Sequence, residues 1–285
     1  MKAGAHVSTA GGPATGFERA EAIGAEAMQI FLTPPQQWRS SKVEESDAEK
    51  FRARHTDSAV GEVFVHGVYL INLAASDSVM LQRSTSSLKS AMLTCSQLGV
   101  QGVIFHLGSH KGTGLDSVFE QICVACSHVI ESTPEDVQLI LENSAGSGGT
   151  IGSSFADLGR IMREVGSNRV KVCLDTQHSY AAGYDLATAE GLEIAMTEFD
   201  KEVGLENLVV VHANDSKVEL GAGRDRHENI GLGPIGREGF ARIVAHPAFR
   251  EVPFLLEVPG LDGKGPDKPN VDILKELRAE AGVPE

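Results

Sequence analysis

The 285-residue chain carries 25 Lys and Arg against 39 Asp and Glu, a formal net charge of −14, with 41% hydrophobic and 22% charged residues. Such a chain can bury a core and is no disordered tail. Taken alone, its acidity argues against nucleic-acid binding, which needs a basic footprint.

No apolar run approaches the roughly 18 residues needed to span a bilayer. The opening MKAGAHVSTAGG lacks an apolar signal segment. The expectation is an intracellular, cytoplasmic protein with no membrane partner. Residues 1–285 read as one domain, with no linker or low-complexity tract.

In chain order, short β-rich apolar runs recur at residues 2–6, 27–32, 62–66, 102–106, 138–142, 170–175, 208–212 and 253–258. Five of them, EVFVH, GVIFH, VKVCLD, LVVVH and PFLLEV, are nearly continuous aliphatic or β-branched. Such strands are buried on both faces, as in a parallel sheet. Helical patterns lie between them: SLKSAMLTCSQLG, SVFEQICVACSHVIE and FADLGRIMREVG, then VDILKELRAEAG near the end. Gly99 and Gly166 stand where helix C-caps belong. Eight strand–helix alternations predict an α/β fold of the (β/α)8 barrel type. An open doubly wound sheet fits less well, because GGPATG after the first strand is not a G-x-G-x-x-G fingerprint.

The apolar runs end in metal-capable side chains: His6, His66, His106, Glu142, Asp175, His212 and Glu257. A barrel gathers the C-terminal ends of its strands around one mouth, where active sites sit. One such residue is unremarkable; seven are hard to explain by packing, because each costs desolvation unless a cation compensates it. Asp175-Thr176-Gln177-His178 adds a histidine in the following loop, and Asp225-Arg226-His227 adds a D-x-H pair in the loop after strand seven. The candidate ligands are therefore His66, His106, Glu142, Asp175, His178, His212, Asp225, His227 and Glu257. Mixed imidazole and carboxylate donors suit zinc, with manganese or iron as competitors. The set matches three divalent metals with about three protein ligands each, leaving open positions for water and substrate. Metals about 3.5–4 Å apart clamp both oxygens of an in-line displacement, and a phosphate ester is their natural substrate. Three divalent cations would move the formal charge of −14 to −8 and concentrate positive charge at the mouth.

Other residues have plainer readings. Cys123-x-x-Cys126 sits in an amphipathic helix and reads as two packed apolar residues. His6 is expected beside a ligand or a phosphate, and His110 contacts substrate or caps its loop. His55, His128 and His246 read as solvated or packed.

The chain resembles endonuclease IV, the trinuclear-zinc AP endonuclease family of base-excision repair. The matching stretches are GAHVSTAGG at 4–12, HGVYLINLA at 66–74, FHLGSHKG at 105–112, LENSAG at 141–146, LDTQHSYAAGYD at 174–185, HANDSK at 212–217, GRDRHENIGLGPIG at 223–236 and LLEVPG at 255–260. The resemblance implies a xylose-isomerase-like TIM barrel that works as a monomer. Its implied reaction is hydrolysis of the phosphodiester 5′ to an abasic site in double-stranded DNA, leaving a 3′-hydroxyl and a 5′-deoxyribose phosphate. Trimming of blocked 3′ ends is implied as well.

All nine ligand positions of the family are matched. His66 and His106 would bind the first metal, and Glu142 would bridge it to the second. Asp175, His212 and Glu257 would complete the second. His178, Asp225 and His227 would hold the third. Glu142 and Glu257 carry the catalytic assignment. Tyr69 matches a tyrosine inserted into the DNA stack, and Gln36 and Arg226 are the other DNA-contact candidates. The chain departs from the family in three places. Gln36 stands where an Arg is common, which puts one DNA wedge in doubt. Gln177 replaces a Cys, with little effect expected because Asp175 and His178 are kept. Ala187 replaces an Arg. The rival readings are a sugar isomerase or epimerase with one or two metals, and a non-catalytic DNA- or metal-binding barrel.

Overall fold

The computed structural model describes residues 1–39 and 42–284. Its strands are β1 (Ala3–Val7), β2 (Ala27–Phe31), β3 (Val63–His66), β4 (Gly102–His106), β5 (Gln138–Glu142), β6 (Val170–Asp175), β7 (Leu208–His212) and β10 (Phe254–Leu256). They close a barrel in the order β1-β10-β7-β6-β5-β4-β3-β2, with every neighbouring pair parallel. Two short strands, β8 (Asp215–Ser216) and β9 (His227–Glu228), pair antiparallel above β7. The helices are α1 (Thr15–Ala22), α2 (Glu45–Thr56), α3 (Ser78–Leu98), α4 (Phe119–Glu131), α5 (Phe155–Val165), α6 (Thr176–Ala182), α7 (Ala189–Glu202), α8 (Gly236–Ala245) and α9 (Lys268–Glu280). Among the described residues no helix is long and apolar enough to cross a membrane.

Strand periodicity divides the interior. Ala3, Ala5, Val65, Val103, Phe105, Leu139, Leu141, Val172 and Leu174 point outward into the main core beneath the helices. The alternate residues point inward. Ala27, Phe64, Ile104, Ile140, Cys173, Val210 and Leu255 form an apolar plug in the lower barrel. Gly4 completes that level, where an added Cβ would lie 2.3 Å from the carbonyl oxygen of Ala27 and 2.7 Å from the Leu255 side chain. Two residues further along each strand stand His6, Gln29, His66, His106, Glu142, Asp175, His212 and Glu257. The plug below them excludes water, so the polar layer sits on a dry floor at the C-terminal mouth.

Four strands, β4 to β7, have the predicted limits. The last strand is shorter than predicted, because the Glu257 N–H donates to Asn214 Oδ1 at 2.8 Å instead of to a neighbouring strand. Helix α3 starts nine residues earlier than the apolar pattern at 87–99, capped by Asp77, whose side chain accepts from the Val79 N–H at 2.8 Å. Its first turns, SVMLQR, bunch their apolar residues at Val79, Met80 and Leu81 without a helical spacing and are largely exposed, so no hydrophobic period announces them. Gly99 and Gly166 end α3 and α5 in the left-handed conformation. Cys123 and Cys126 are buried in the helix-side core, as their packing reading required.

A candidate metal centre at the barrel mouth

Six strand ends, the first turn of α6 and the segment from Asp225 to His227 at the start of β9 bring the candidate ligands together. Three groups have donor atoms within 4.8 Å of one another: His66, His106 and Glu142; Glu142, Asp175, His212 and Glu257; and Asp175, His178 and His227. Asp225 lies against the last group, with one carboxylate oxygen 3.3 Å from His178 Nε2 and the other 3.3 Å from His227 Nε2. Glu142 is fully buried at the centre. Its Oε2 is 3.1 Å from His66 Nε2 and 3.6 Å from His106 Nε2, while its Oε1 is 3.1 Å from His212 Nδ1 and 3.3 Å from His178 Nδ1.

Local structure explains how each side chain is aimed. Asp175 ends β6 and also caps α6, its Oδ1 accepting from the His178 N–H at 2.8 Å. The cap turns the chain into a helix at once, which places His178 in the first helical turn rather than in the predicted loop. Asp175 Oδ2 remains for the cluster and accepts from Asn214 Nδ2 at 2.8 Å. His227 opens β9 and pairs with Ser216, which holds the last residue of the D-x-H segment.

Three of the imidazoles are held by Nδ1 on a backbone carbonyl. His66 Nδ1 donates to the Gly67 carbonyl at 2.7 Å, His178 Nδ1 to the Asn143 carbonyl at 3.0 Å and His227 Nδ1 to the Glu257 carbonyl at 3.4 Å. His212 is reversed: Nε2 meets Gln29 Oε1 at 2.8 Å and leaves Nδ1 toward the carboxylates. Holding one nitrogen as a donor frees the other as a lone-pair ligand. Nε2 of His178 and of His227 is buried and makes no hydrogen bond. Buried donors and acceptors are nearly always satisfied, so two orphaned nitrogens beside four carboxylates fit a cation.

The electrostatics agree. Burial would push the Glu142 carboxyl up, but His106 and His212 around it hold it well below its ordinary range. Glu257 behaves the same way beside His212 and His6. For Asp225 burial again opposes ionisation, yet pairing with His178 and the nearby His227 and His106 bring it down to about 2. Burial would lower His178, but Asp175, Asp225 and Glu142 raise it well above its usual value. Glu142, Glu257 and Asp225 are thus held ionised among imidazoles, and among the described residues neither they nor Asp175 pairs with Lys or Arg.

The remaining candidates fall at the rim. Tyr69 is 55% exposed and stands edge-on to Phe31 and His66, with centroids 5.4 and 5.8 Å away. Gln36 is exposed next to Pro35, whose carbonyl accepts from the Tyr69 N–H at 2.9 Å. Arg226 is exposed and lines, with Lys217 and Arg224, a cavity of about 680 Å³ that reaches His106 and His178. A second cavity of about 770 Å³ runs from Tyr69 and Phe31 to His227 and Glu257. His6 Nδ1 contacts Glu257 Oε1 at 3.3 Å, as expected of a residue beside a ligand. His110 caps its own loop, its Nδ1 accepting from the N–H groups of Gly112 and Gly114. Ala187 presents its carbonyl to Arg242 at 2.8 Å.

Three amides of the site were not read from sequence, and a fourth, Gln177, stood there only as a departure from the family. Gln29 ties His212 to Glu257 through Nε2···Oε1 at 2.6 Å. Asn143 accepts from the Asp175 N–H at 2.6 Å. Asn214 links Asp175 to Glu257, and Gln177 is fully buried beside the D-x-H segment. A glutamine inside the apolar run AMQIF was the available signal, since a buried amide costs free energy unless it is fully bonded.

Residues 17–279 match the family described as xylose isomerase-like TIM barrel. The chain is 40% identical over 276 residues to a probable endonuclease 4 of Methanoculleus marisnigri, covering 96% of this chain and 98% of that one. It superposes on endonuclease IV from Thermus thermophilus with a TM-score of 0.86 at 33% identity, over 97% of this chain and 98% of the other. A D-tagatose 3-epimerase-like protein shares the fold at a TM-score of 0.74 but only 17% identity, covering 99% and 98%. The chain belongs to the endonuclease IV family, hydrolytic nucleases built on the xylose isomerase-like TIM barrel.

Proposed function

We propose that this protein hydrolyses the phosphodiester 5′ to abasic sites in duplex DNA at a three-metal centre, leaving a 3′-hydroxyl and a 5′-deoxyribose phosphate, and trims blocked 3′ ends. The observation that carries the reading is the run of three donor groups joined through Glu142 and Asp175. His66, His106 and Glu142 would hold one cation. Glu142, Asp175, His212 and Glu257 would hold the second, and His178, Asp225 and His227 the third. Zinc suits these donors best, with manganese and iron as competitors. Bound cations supply Lewis acidity, a nucleophile at neutral pH and a template for in-line displacement.

The protein's own groups do the rest. Glu142 spans two donor groups, so its charge fixes the spacing at which a phosphate is gripped. Glu257 faces the cavity beneath Tyr69, with His6 and Gln29 holding Oε1 and Oε2 lying 3.4 Å from His212 Nδ1, where it would join the second cation at the edge of the cavity. That cavity has the volume of a small-ligand pocket and would receive an abasic nucleotide turned out of the duplex. Tyr69 would stack at the gap left in the duplex, Arg226 with Lys217 and Arg224 would meet backbone phosphates, and Gln36 would touch the duplex from the neighbouring loop. The single barrel would act as an intracellular monomer. A one- or two-metal sugar isomerase leaves Asp225 and His227 without a role.

The test is cleavage of a duplex carrying one abasic site, before and after strong chelation, with elemental analysis of the purified protein. Incision 5′ to the site, lost on metal removal, with close to three metals per chain, is the expected result. One or two metals and no incision would overturn the reading; three metals and no incision would overturn the substrate alone.

A further inference from the structure

We infer that Gln177 is the residue that positions Asp225 and His227 for the third cation, an inference that rests on the three-metal reading above. Asp225 is the weakly anchored member of the donor set. Its side chain is 58% exposed and its backbone lies in the long connection between β8 and β9. Strand-end ligands are fixed by the barrel ladder, and His178 is fixed by the Asp175 cap, but neither device reaches Asp225.

The Gln177 carboxamide does. It points from α6 into this connection and is fully buried. Its Nε2 donates to the Arg224 carbonyl at 2.9 Å, and its Oε1 accepts from the Arg226 N–H at 3.2 Å. Those two groups belong to the peptide units on either side of Asp225. One planar amide therefore grips both, as a neighbouring strand would, and sets the direction in which the Asp225 side chain leaves the backbone. The same grip fixes Arg226, whose carbonyl also accepts from the Lys217 N–H at 2.9 Å, and so joins the β8–β9 pairing in holding His227 after it. Ser216 Oγ, 3.4 Å from Nε2, ties the amide to β8. A thiol at this position offers one weak donor and no planar pair. The carboxamide at residue 177 is thus a positioning group, acting through Asp225 and His227 without touching the cation.

The experiment uses Zn²⁺ itself as the probe, titrated into metal-free full-length protein against a chromogenic chelator. Gln177→Met keeps the side-chain length and removes both hydrogen-bonding atoms. Wild type should take up three equivalents. The variant should hold two with unchanged affinity and the third about 10–100-fold more weakly, the range for residues that orient ligands. A variant that binds three equivalents like wild type, with only a lower Tm, would overturn the inference and leave Gln177 a packing residue. If Gln177→Met fails to fold, Gln177→Glu decides on the same criterion, since it keeps the acceptor for Arg226 but sets an oxygen against the Arg224 carbonyl. Wild type that binds fewer than three equivalents would instead overturn the three-metal reading.

Discussion

The two ends of the barrel treat their acidic residues differently. At the N-terminal end, Glu26 receives both guanidinium nitrogens of Arg278, at 2.7 and 3.1 Å, and lies 3.3 Å from Lys275. Glu62 lies 2.9 Å from Lys2. These carboxylates have permanent cations within the chain. At the C-terminal end, Glu142, Asp175, Asp225 and Glu257 face imidazoles and neutral amides, with no Lys or Arg partner among the described residues. The lower carboxylates are neutralised by fixed ion pairs within the chain, while those at the mouth, without a permanent cation, are arranged for one that comes from solution. One fold thereby keeps stability at one face and chemistry at the other.

The sharpest way to break the contrast is to take the cations away. Chelation should lower incision at least about a thousandfold, several kcal/mol of transition-state stabilisation. It should also lower Tm by several degrees, since ligands that bind only the folded chain stabilise it. Calorimetry with and without restored zinc reads both, and an unchanged Tm would mean that the mouth is satisfied without metal.

Glu257→Gln should keep the fold and lower turnover about a hundredfold or more, roughly 2.7 kcal/mol. Near-normal kcat would count against the role given to its Oε2. Gln29→Leu leaves every ligand in place but frees the His212 ring. Loss of its Nε2 partner should weaken metal binding at the second group about 10–100-fold. Equal zinc affinity in the variant would show that the barrel wall alone orients His212.

Tyr69→Ala tests the rim. Discrimination between abasic and intact duplex should fall about tenfold, the scale of one lost stacking contact, with zinc content unchanged. Metal loss in this variant would make Tyr69 a structural residue.

The smallest effect belongs to the other end. Burial raises the Glu26 carboxyl, but the Arg278 pairing prevails and its value in the fold is lowered. A depressed folded value stabilises the fold fully above the unfolded carboxyl value of about 4.3 and loses that effect as pH falls through the folded value. Glu26→Gln should therefore cost on the order of 1 kcal/mol at neutral pH and progressively less on acidification, with zinc binding untouched. Urea melts at pH 7 and pH 3 check this; a cost that stays constant with pH would deny the ion pair its part.

The ligand positions were legible because each strand repeats one short code, an apolar residue and, two places on, a polar one: Phe64 and His66, Ile104 and His106, Ile140 and Glu142. The period of two sends both inward, and the C-terminal end of a parallel strand is recognisable from its apolar run. The supporting amides carry no such code. Gln29 and His212 are 183 residues apart, and Asn214 meets Glu257 across 43.

By itself, then, the amino-acid order determined the barrel, the limits of β4 to β7 and the residue types at the mouth, because local periodicity and backbone caps act within a few residues. The tertiary structure alone decided the rest. It set which nitrogen of His178, His212 and His227 faces inward and placed Gln177 against Asp225. Each of those outcomes depends on a hydrogen-bond partner that only closure of the barrel brings within reach.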